Sequence, residues 1–295
     1  MLWEHYRMMK SVDETLEALG SFDGKARVVA GGTDLVVQLL EKESGNRLTL
    51  LDVSSIPTIR GISEEGGWTV IGAATTMAEL AKSRVVRDNG RALFIGASSM
   101  AAPQIRCVAT IGGNVVNAQP AADTTIPLLA LGGEARIVSA TDEKWVALEE
   151  LFIDVGQSVV NPSKELITHF RFQPTERKSS SSLQRLAKRK TFTLPTLLIA
   201  ARVELDEDRK CFETVRIAAG PVARTPWRAK GAEHSLSGEA VSREAIENAA
   251  AIAKSAARPR DSIRGGAEYR KDMVEVLVKR ALGDYLSQLG ILVHE

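Results

Sequence analysis

The sequence predicts an α+β fold in two units: an α/β amino-terminal region and, after a polar break, a smaller α+β carboxy-terminal domain. Three observations carry this prediction. Strand and helix patterns alternate through the first third of the chain, a serine-rich stretch at 176–182 interrupts the pattern, and three strand-like runs beyond it are followed by two long helical ones. At 295 residues the chain exceeds the usual single-domain size, so two or three packed units are expected.

Taken in order, Ser11 and Glu14 have the spacing of a capping box, and Val12, Leu16 and Leu19 follow helical spacing until Gly20 can end the helix. A β-type run at 27–30 leads through a glycine turn to a helix over 35–42 and a strand over 48–53, an αβαβ unit. A strand at 68–72 precedes helices over 77–82 and 91–100. Small residues dominate 101–122, too little bulk for a core of their own, which predicts that backbone is presented there. A helix over 124–131 and strands at 135–139 and 165–172 close the region. Past the linker at 176–182, strands are expected at 183–188, 197–205 and 214–219, and helices at 243–255 and 268–286. No repeat at a solenoid or propeller period is present.

Composition narrows the function. Hydrophobic residues make up 44% and charged residues 25%, ordinary for a globule. A net charge of +1 with no basic tail offers little attraction to nucleic acid. The apolar stretch at 194–203 is too short to cross a bilayer and is interrupted by Pro195 and Arg202. Glu4, His5 and Arg7 do not fit a signal peptide, so a cytoplasmic location is expected. Only Cys107 and Cys211 are present, whereas an iron–sulfur cluster usually takes four thiolates. The histidines, His5, His169, His234 and His294, lack metal-ligand spacing, and no nucleophile sits in an elbow motif.

Two glycine loops hold the chemical signal. In the first, Val28, Val29 and Ala30 lead into Gly31 and Gly32, then Thr33, Asp34 and Leu35 open a helix. Tandem glycines let several amides point into one concavity, which suits a phosphate; a plain tight turn capped by Asp34 is the alternative. The spacing matches neither GxGxxG nor GxxxxGK[ST]. The second loop, Thr110, Ile111, Gly112, Gly113 and Asn114, adds what reads as an opposed row of donors. Neither loop contains lysine, so a diphosphate would be neutralised by amides.

These stretches carry a resemblance. AGGTDL at 30–35, PQIR at 103–106, TIGGNVVNAQPAAD at 110–123, RLAKRK at 185–190, the run at 220–226 and IRGGAEYRKDMVEVLVKRAL at 263–282 resemble the FAD-binding medium subunit of the xanthine dehydrogenase and carbon monoxide dehydrogenase family. It spans nearly the whole chain. It implies a two-lobed FAD-binding domain of the vanillyl-alcohol oxidase or PCMH type at 1–175, with lobes at about 1–55 and 56–175, and a flavoprotein carboxy-terminal domain at 183–295. It further implies non-covalent FAD, and partners: a small subunit with two-iron two-sulfur clusters and a large subunit with molybdopterin. Electrons would pass from those clusters through FAD to NAD or another acceptor.

By the same resemblance, residues 28–35 wrap the diphosphate and 110–114 complete the cradle. Ala101 lies beside the flavin, Asp123 hydrogen-bonds the cofactor, Ile167 offers backbone contacts at the ring, and Arg185 stands where the family places a lysine near the isoalloxazine. From local sequence alone, Asp123 reads equally as a helix N-cap, Ile167 as core and Arg185 as a solvated strand residue. Cys107 and Gln119 depart from the family's usual asparagine and serine, aspartate or threonine; Cys107 is expected to be a small buried hydrophobe. A self-sufficient flavin oxidoreductase and a non-catalytic flavin-binding assembly protein are the rival functions.

Overall fold

The structure, a computed structural model, describes residues 3–41, 48–174, 179–190 and 192–291. The first lobe is a parallel sheet of β1 (His5–Met8), β2 (Ala26–Val29) and β3 (Thr49–Asp52) in the order β1-β3-β2, crossed over by α1 (Val12–Ser21) and α2 (Leu35–Glu41). The central β3 is buried at every position, as a doubly paired parallel strand should be. β1 precedes the αβαβ pattern and was not foreseen. All four of its residues are exposed, so it carries no hydrophobic signature; it is held by pairing with β3 and by the Tyr6 hydroxyl, which donates to the Asp52 carboxylate. At α1, Ser11 accepts from the Glu14 amide (3.1 Å), but the Glu14 carboxylate takes the Lys10 amide (2.7 Å), so only half of the capping box forms. The helix runs through Gly20 to Ser21, and the left-handed turn falls on Asp23 (φ 45°) and Gly24 (φ 81°) instead.

The second lobe is built on an antiparallel sheet of β4 (Ile62–Glu65), β5 (Trp68–Gly72), β6 (Glu134–Ser139), β7 (Glu143–Ala147) and, beyond the small β8 (Phe152–Asp154) and β9 (Gln157–Ser158) hairpin, β10 (Glu165–Phe172). The order is β4-β5-β10-β6-β7. Short helices cover one face: α3 (Met77–Leu80), α4 (Arg84–Asn89), α5 (Arg91–Ser99), α6 (Pro103–Arg106), α7 (Ile111–Val116) and α8 (Thr125–Ala130). A register shift in β10 between Ile167 and His169 keeps Ile167 and Phe170, three residues apart, in the same core, while Leu166 joins the core of the first lobe. On the open face, Arg171 lies between the rings of Trp68 and Trp145 (4.3 and 4.1 Å) and pairs with Glu134 (2.6 Å).

Segment 101–122 is not bare backbone. It forms α6 and α7; Ala109, Ile111 and Val115 enter the lobe's core, and Ala118 is buried. The segment docks by backbone on the start of α3, where the Met77 amide donates to Ala109 O (2.9 Å), and on the turn after β5, where the Gly112 amide donates to Ala73 O (2.9 Å), contacts that local composition does not reveal.

The third unit is an antiparallel sheet, β11 (Ser179–Leu186), β12 (Leu197–Leu205), β13 (Phe212–Gly220) and β14 (Trp227–Arg228), backed by α9 (Lys230–Leu236), α10 (Arg243–Ala256) and α11 (Ala267–Gln288). β12 is buried on both faces: Ile199, Ala201 and Val203 pack on the helices, and Leu198 and Ala200 join the core of the second lobe. Arg202 is tolerated because its guanidinium donates to the carbonyls of Leu131 (3.2 Å) and Gln173 (2.9 Å). The linker expected at 176–182 is corrected in its second half, since β11 begins at Ser179; residues 175–178 lie outside those described. Ser181 accepts from the Ala92 amide (3.1 Å) and Ser182 donates to the Ala281 carbonyl (2.7 Å), so these serines satisfy buried helix backbone. Among the described residues no helix is long and apolar enough to cross a membrane.

Candidate cofactor-binding site

Between the first two lobes lies a cleft of about 830 Å³, lined by Val28, Val29, Ala30, Gly31, Gly32, Thr33, Asp34 and Leu35 on one side and by Thr110, Gly112, Gly113, Asn114 and Ile167 on the other. That volume suits a large organic ligand. Gly31 brings the sides together: a β-carbon there would sit 2.1 Å from the Val108 carbonyl oxygen, so only glycine allows the two backbones to touch. Gly32 follows with φ 67°, and its carbonyl accepts the Val36 amide (3.0 Å) to start α2. Among the described residues, none accepts from the amides of Gly31, Gly32, Thr33 or Asp34. Four adjacent donors thus remain for a ligand at the cleft wall, the arrangement an anionic diphosphate needs. Desolvation raises the Asp34 carboxyl above its ordinary pKa.

The second loop works differently from the expected row of donors, and the expectation is corrected. The Ile111 amide donates to Thr75 O (3.0 Å), Gly112 to Ala73 O (2.9 Å), Gly113 to Thr110 Oγ1 (3.2 Å) and Asn114 to Thr110 O (3.0 Å). These bonds cap α7 and dock it on the turn after β5, so the amides hold the fold. What the loop offers is a flat surface. A β-carbon on Gly112 would meet Ala73 O at 2.8 Å, whereas one on Gly113 would meet only the Thr110 hydroxyl at 3.2 Å. Asn114 is oriented by accepting from both the Thr124 hydroxyl (2.6 Å) and amide (3.3 Å).

The remaining expected residues divide. Ile167 lines the cleft beside the bulge of β10, whereas Ile111 points into the core. Ala101 has φ 43°, a strained value for a residue with a side chain, and follows Met100, which does line the cleft. Asp123 and Arg185 line no part of it. They pair with each other at 3.0 Å with side chains only 6% and 10% exposed, and Arg185 also donates to Thr193 O (2.6 Å). Burial pushes the Asp123 carboxyl up, and the Arg185 charge works against that shift. Arg185 is therefore no solvated strand residue, and Thr124 rather than Asp123 occupies the cap position of α8. Cys107 is exposed, contrary to expectation, because it follows α6 at the surface.

Sequence reasoning missed the apolar walls, including Val53, Ile59, Ile153, Val160 and Leu166. They lie on separate strands and turns, each reading locally as ordinary core. His169 sits away from the cleft on the open face of the second sheet, where desolvation and then Arg136 lower its pKa; His294 lies outside the described residues. Among the described residues no group of histidine, cysteine and carboxylates could hold a metal.

The unengaged amides, the backbone contact at Gly31 and the apolar walls fit a dinucleotide with a diphosphate at its centre. Residues 4–174 match the model of the FAD binding domain in molybdopterin dehydrogenase, and residues 183–285 match the CO dehydrogenase flavoprotein C-terminal domain. The chain belongs to the FAD-binding medium subunits of the xanthine and carbon monoxide dehydrogenase family. This FAD subunit is 31% identical over 279 residues to the carbon monoxide dehydrogenase medium chain of Hydrogenophaga pseudoflava, covering 94% of this chain and 95% of that one. It is 30% identical over 268 residues to the xanthine dehydrogenase FAD-binding subunit of Escherichia coli O157:H7, with 90% of each covered. A solved structure of the Hydrogenophaga pseudoflava carbon monoxide dehydrogenase lacking the Mo-pyranopterin moiety superposes with a TM-score of 0.91 at 28% identity, covering 97% of this chain and 98% of that chain. The FAD subunit is accordingly an oxidoreductase component with the expected architecture, an FAD-binding domain followed by a smaller carboxy-terminal domain.

Proposed function

We propose that the subunit holds FAD non-covalently in the inter-lobe cleft and relays electrons from iron–sulfur clusters in a small partner subunit to NAD or another acceptor, substrate being oxidised at molybdopterin in a large partner. The carrying observation is the run of unengaged amides at Gly31, Gly32, Thr33 and Asp34 facing the cleft. Bound FAD supplies the exchange between paired and single electrons. In this reading Val28 to Leu35 wrap the diphosphate, Gly113 gives it close access, and Thr110 and Asn114 close the cradle. Ile111 and Gly112 support that loop from behind. Ile167 borders the flavin, while Ala101, Asp123 and Arg185 hold the wall at its end. The two functional units are assigned to 1–175, with lobes at about 1–55 and 56–175, and 183–295. Cys107 and Cys211 are too few to ligate a cluster, so the iron must lie in a partner.

The test is direct. The chain purified by itself, loaded with FAD and then denatured, should release about one equivalent of free FAD, as amide-based binding requires, and NADH should reduce the bound flavin if NAD is the acceptor. Finding FMN, a covalent flavin, or substrate hydroxylation by a preparation without molybdenum and iron would overturn the proposal.

A further inference from the structure

Beside the cleft, the third unit presents a surface that the cofactor site does not use. Residues 187–190 and 192–196 lie between β11 and β12, and residues 257–266 cross from α10 to α11. The crossovers are tied together: Lys188 Nζ donates to Ile263 O (2.8 Å) and the Thr196 hydroxyl to Arg264 O (3.0 Å). Buried Arg270 pins the second crossover from beneath by donating to the Arg260 carbonyl and the Ser262 hydroxyl. At the other edge, the Phe192 amide donates to Ala101 O (3.3 Å), next to Met100 in the cleft wall. The surface is therefore rigidly backed and continuous with the mouth of the cleft.

Its centre is apolar and its rim basic. Ile263 is 90% exposed and Phe192 63%, with Leu194 and Tyr269 beside them at half or more. Large apolar side chains gathered on one surface mark an interaction site, and aromatic anchors inside a charged rim have the anatomy of a protein interface. Around them stand Lys188, Arg189, Lys190, Arg258 and Arg260, all exposed. Lys188, Arg189 and Arg258 donate to main-chain carbonyls, and among the described residues none of them forms an ion pair with a carboxylate. Two exposed carboxylates, Asp261, which accepts the Ala267 amide (2.6 Å), and Glu268, offset part of this charge and leave the five cations in excess. Because the whole chain carries only +1, this concentration is local rather than a reflection of a basic protein.

We infer that this surface, on residues 187–190, 192–196 and 257–266, docks a protein partner whose own face carries carboxylates around an apolar centre, and that this partner exchanges electrons with the cleft. The inference rests on the electron-relay reading above. Complementary charge would steer the encounter, the apolar anchors would hold the complex, and the Phe192–Ala101 bond would keep the docked face next to the cofactor. Four apolar anchors favour a protein over nucleic acid, which would need only the cations.

The test uses the tagged full-length chain expressed in its native host, where its companions are present. Ile263→Asp and the double change Lys188→Glu/Lys190→Glu are compared with wild type and with Lys144→Glu, a charge reversal on the exposed edge strand β7. Iron and companion chains recovered per bound FAD are measured. Each docking variant should lose at least about tenfold in retained iron, the loss expected when a central anchor or charge is removed, with FAD per chain unchanged and Lys144→Glu like wild type. Wild-type retention in the docking variants, equal loss in Lys144→Glu, or loss of FAD with the iron overturns the docking surface alone. A wild-type chain carrying FAD but no iron-bearing companion overturns the relay reading and the docking surface together. Anionic phospholipid vesicles that bind wild type but not the variants, while iron retention is unchanged, would assign the surface to a membrane instead.

Discussion

Gly31→Ala should cost both cofactor affinity and stability, and the structure sets the scale. The added carbon would lie 2.1 Å from the Val108 carbonyl oxygen, 2.6 Å from its carbon and 2.9 Å from the Ala109 α-carbon. Ordinary contact is at about 3.5 Å, so two backbones on different lobes must part by more than an ångström. No rotamer change can relieve a backbone clash. Overpacking a fixed site costs about 1–3 kcal/mol, and this one belongs at the upper end. If the lobes separate at the cleft, about 3 kcal/mol is about a hundredfold in FAD affinity. Gly113→Ala makes the contrast. Its β-carbon meets only the Thr110 hydroxyl at 3.2 Å, so the fold should tolerate it while the close approach of the diphosphate is blocked. Gly20→Ala, exposed near the end of α1 with nothing within 4 Å, is the control: FAD affinity should be unchanged, and stability should rise by up to about 1 kcal/mol rather than fall. The measurements are FAD titration of the apo-chain, followed by fluorescence, and urea unfolding of each variant without cofactor. Wild-type affinity and an unchanged urea midpoint for Gly31→Ala would show that the lobes do not meet at this glycine.

Two further outcomes follow from the charged contacts. Arg185→Leu leaves the buried Asp123 without its counter-charge and should destabilise the chain by about 3–5 kcal/mol, with Asp123→Asn added to it recovering part of the loss in urea unfolding. The fold raises the Asp123 pKa, so its stability contribution improves as pH falls through the folded pKa and is poorest once the group is ionised; without Arg185 the pKa rises further. The Arg185→Leu defect should therefore be larger at about pH 8 than at about pH 5, and a pH-independent defect would refute the pairing. Arg171→Ala removes a cation stacked between two indoles together with its Glu134 partner, and should cost about 1–2 kcal/mol with a change in tryptophan emission. Unchanged emission would place the indoles elsewhere.

Much of the fold and the first loop could be read directly from sequence, because the determining physics is local. β5, β10 and β12 fall on the expected residues, since continuous or alternating apolar runs bounded by turns leave few other solutions. Gly31 and Gly32 announce a backbone site for the same reason: tandem glycine between strand and helix is a local signature. β1 escaped because exposed residues carry no pattern, and the serines of β11 read as linker because their partners, the Ala92 amide and the Ala281 carbonyl, lie about ninety to a hundred residues away. Only the tertiary structure decided which glycine joins the lobes, which loop's amides have no partner among the described residues, and that Asp123 and Arg185 pair with each other. Each depends on a group from another lobe or unit: Val108 against Gly31, Ala73 and Thr75 beneath the second loop, and β11 beside the segment before α8. A residue's type sets what it can donate, accept or exclude, but whether that capacity is already engaged is fixed by neighbours that only folding brings within bonding distance.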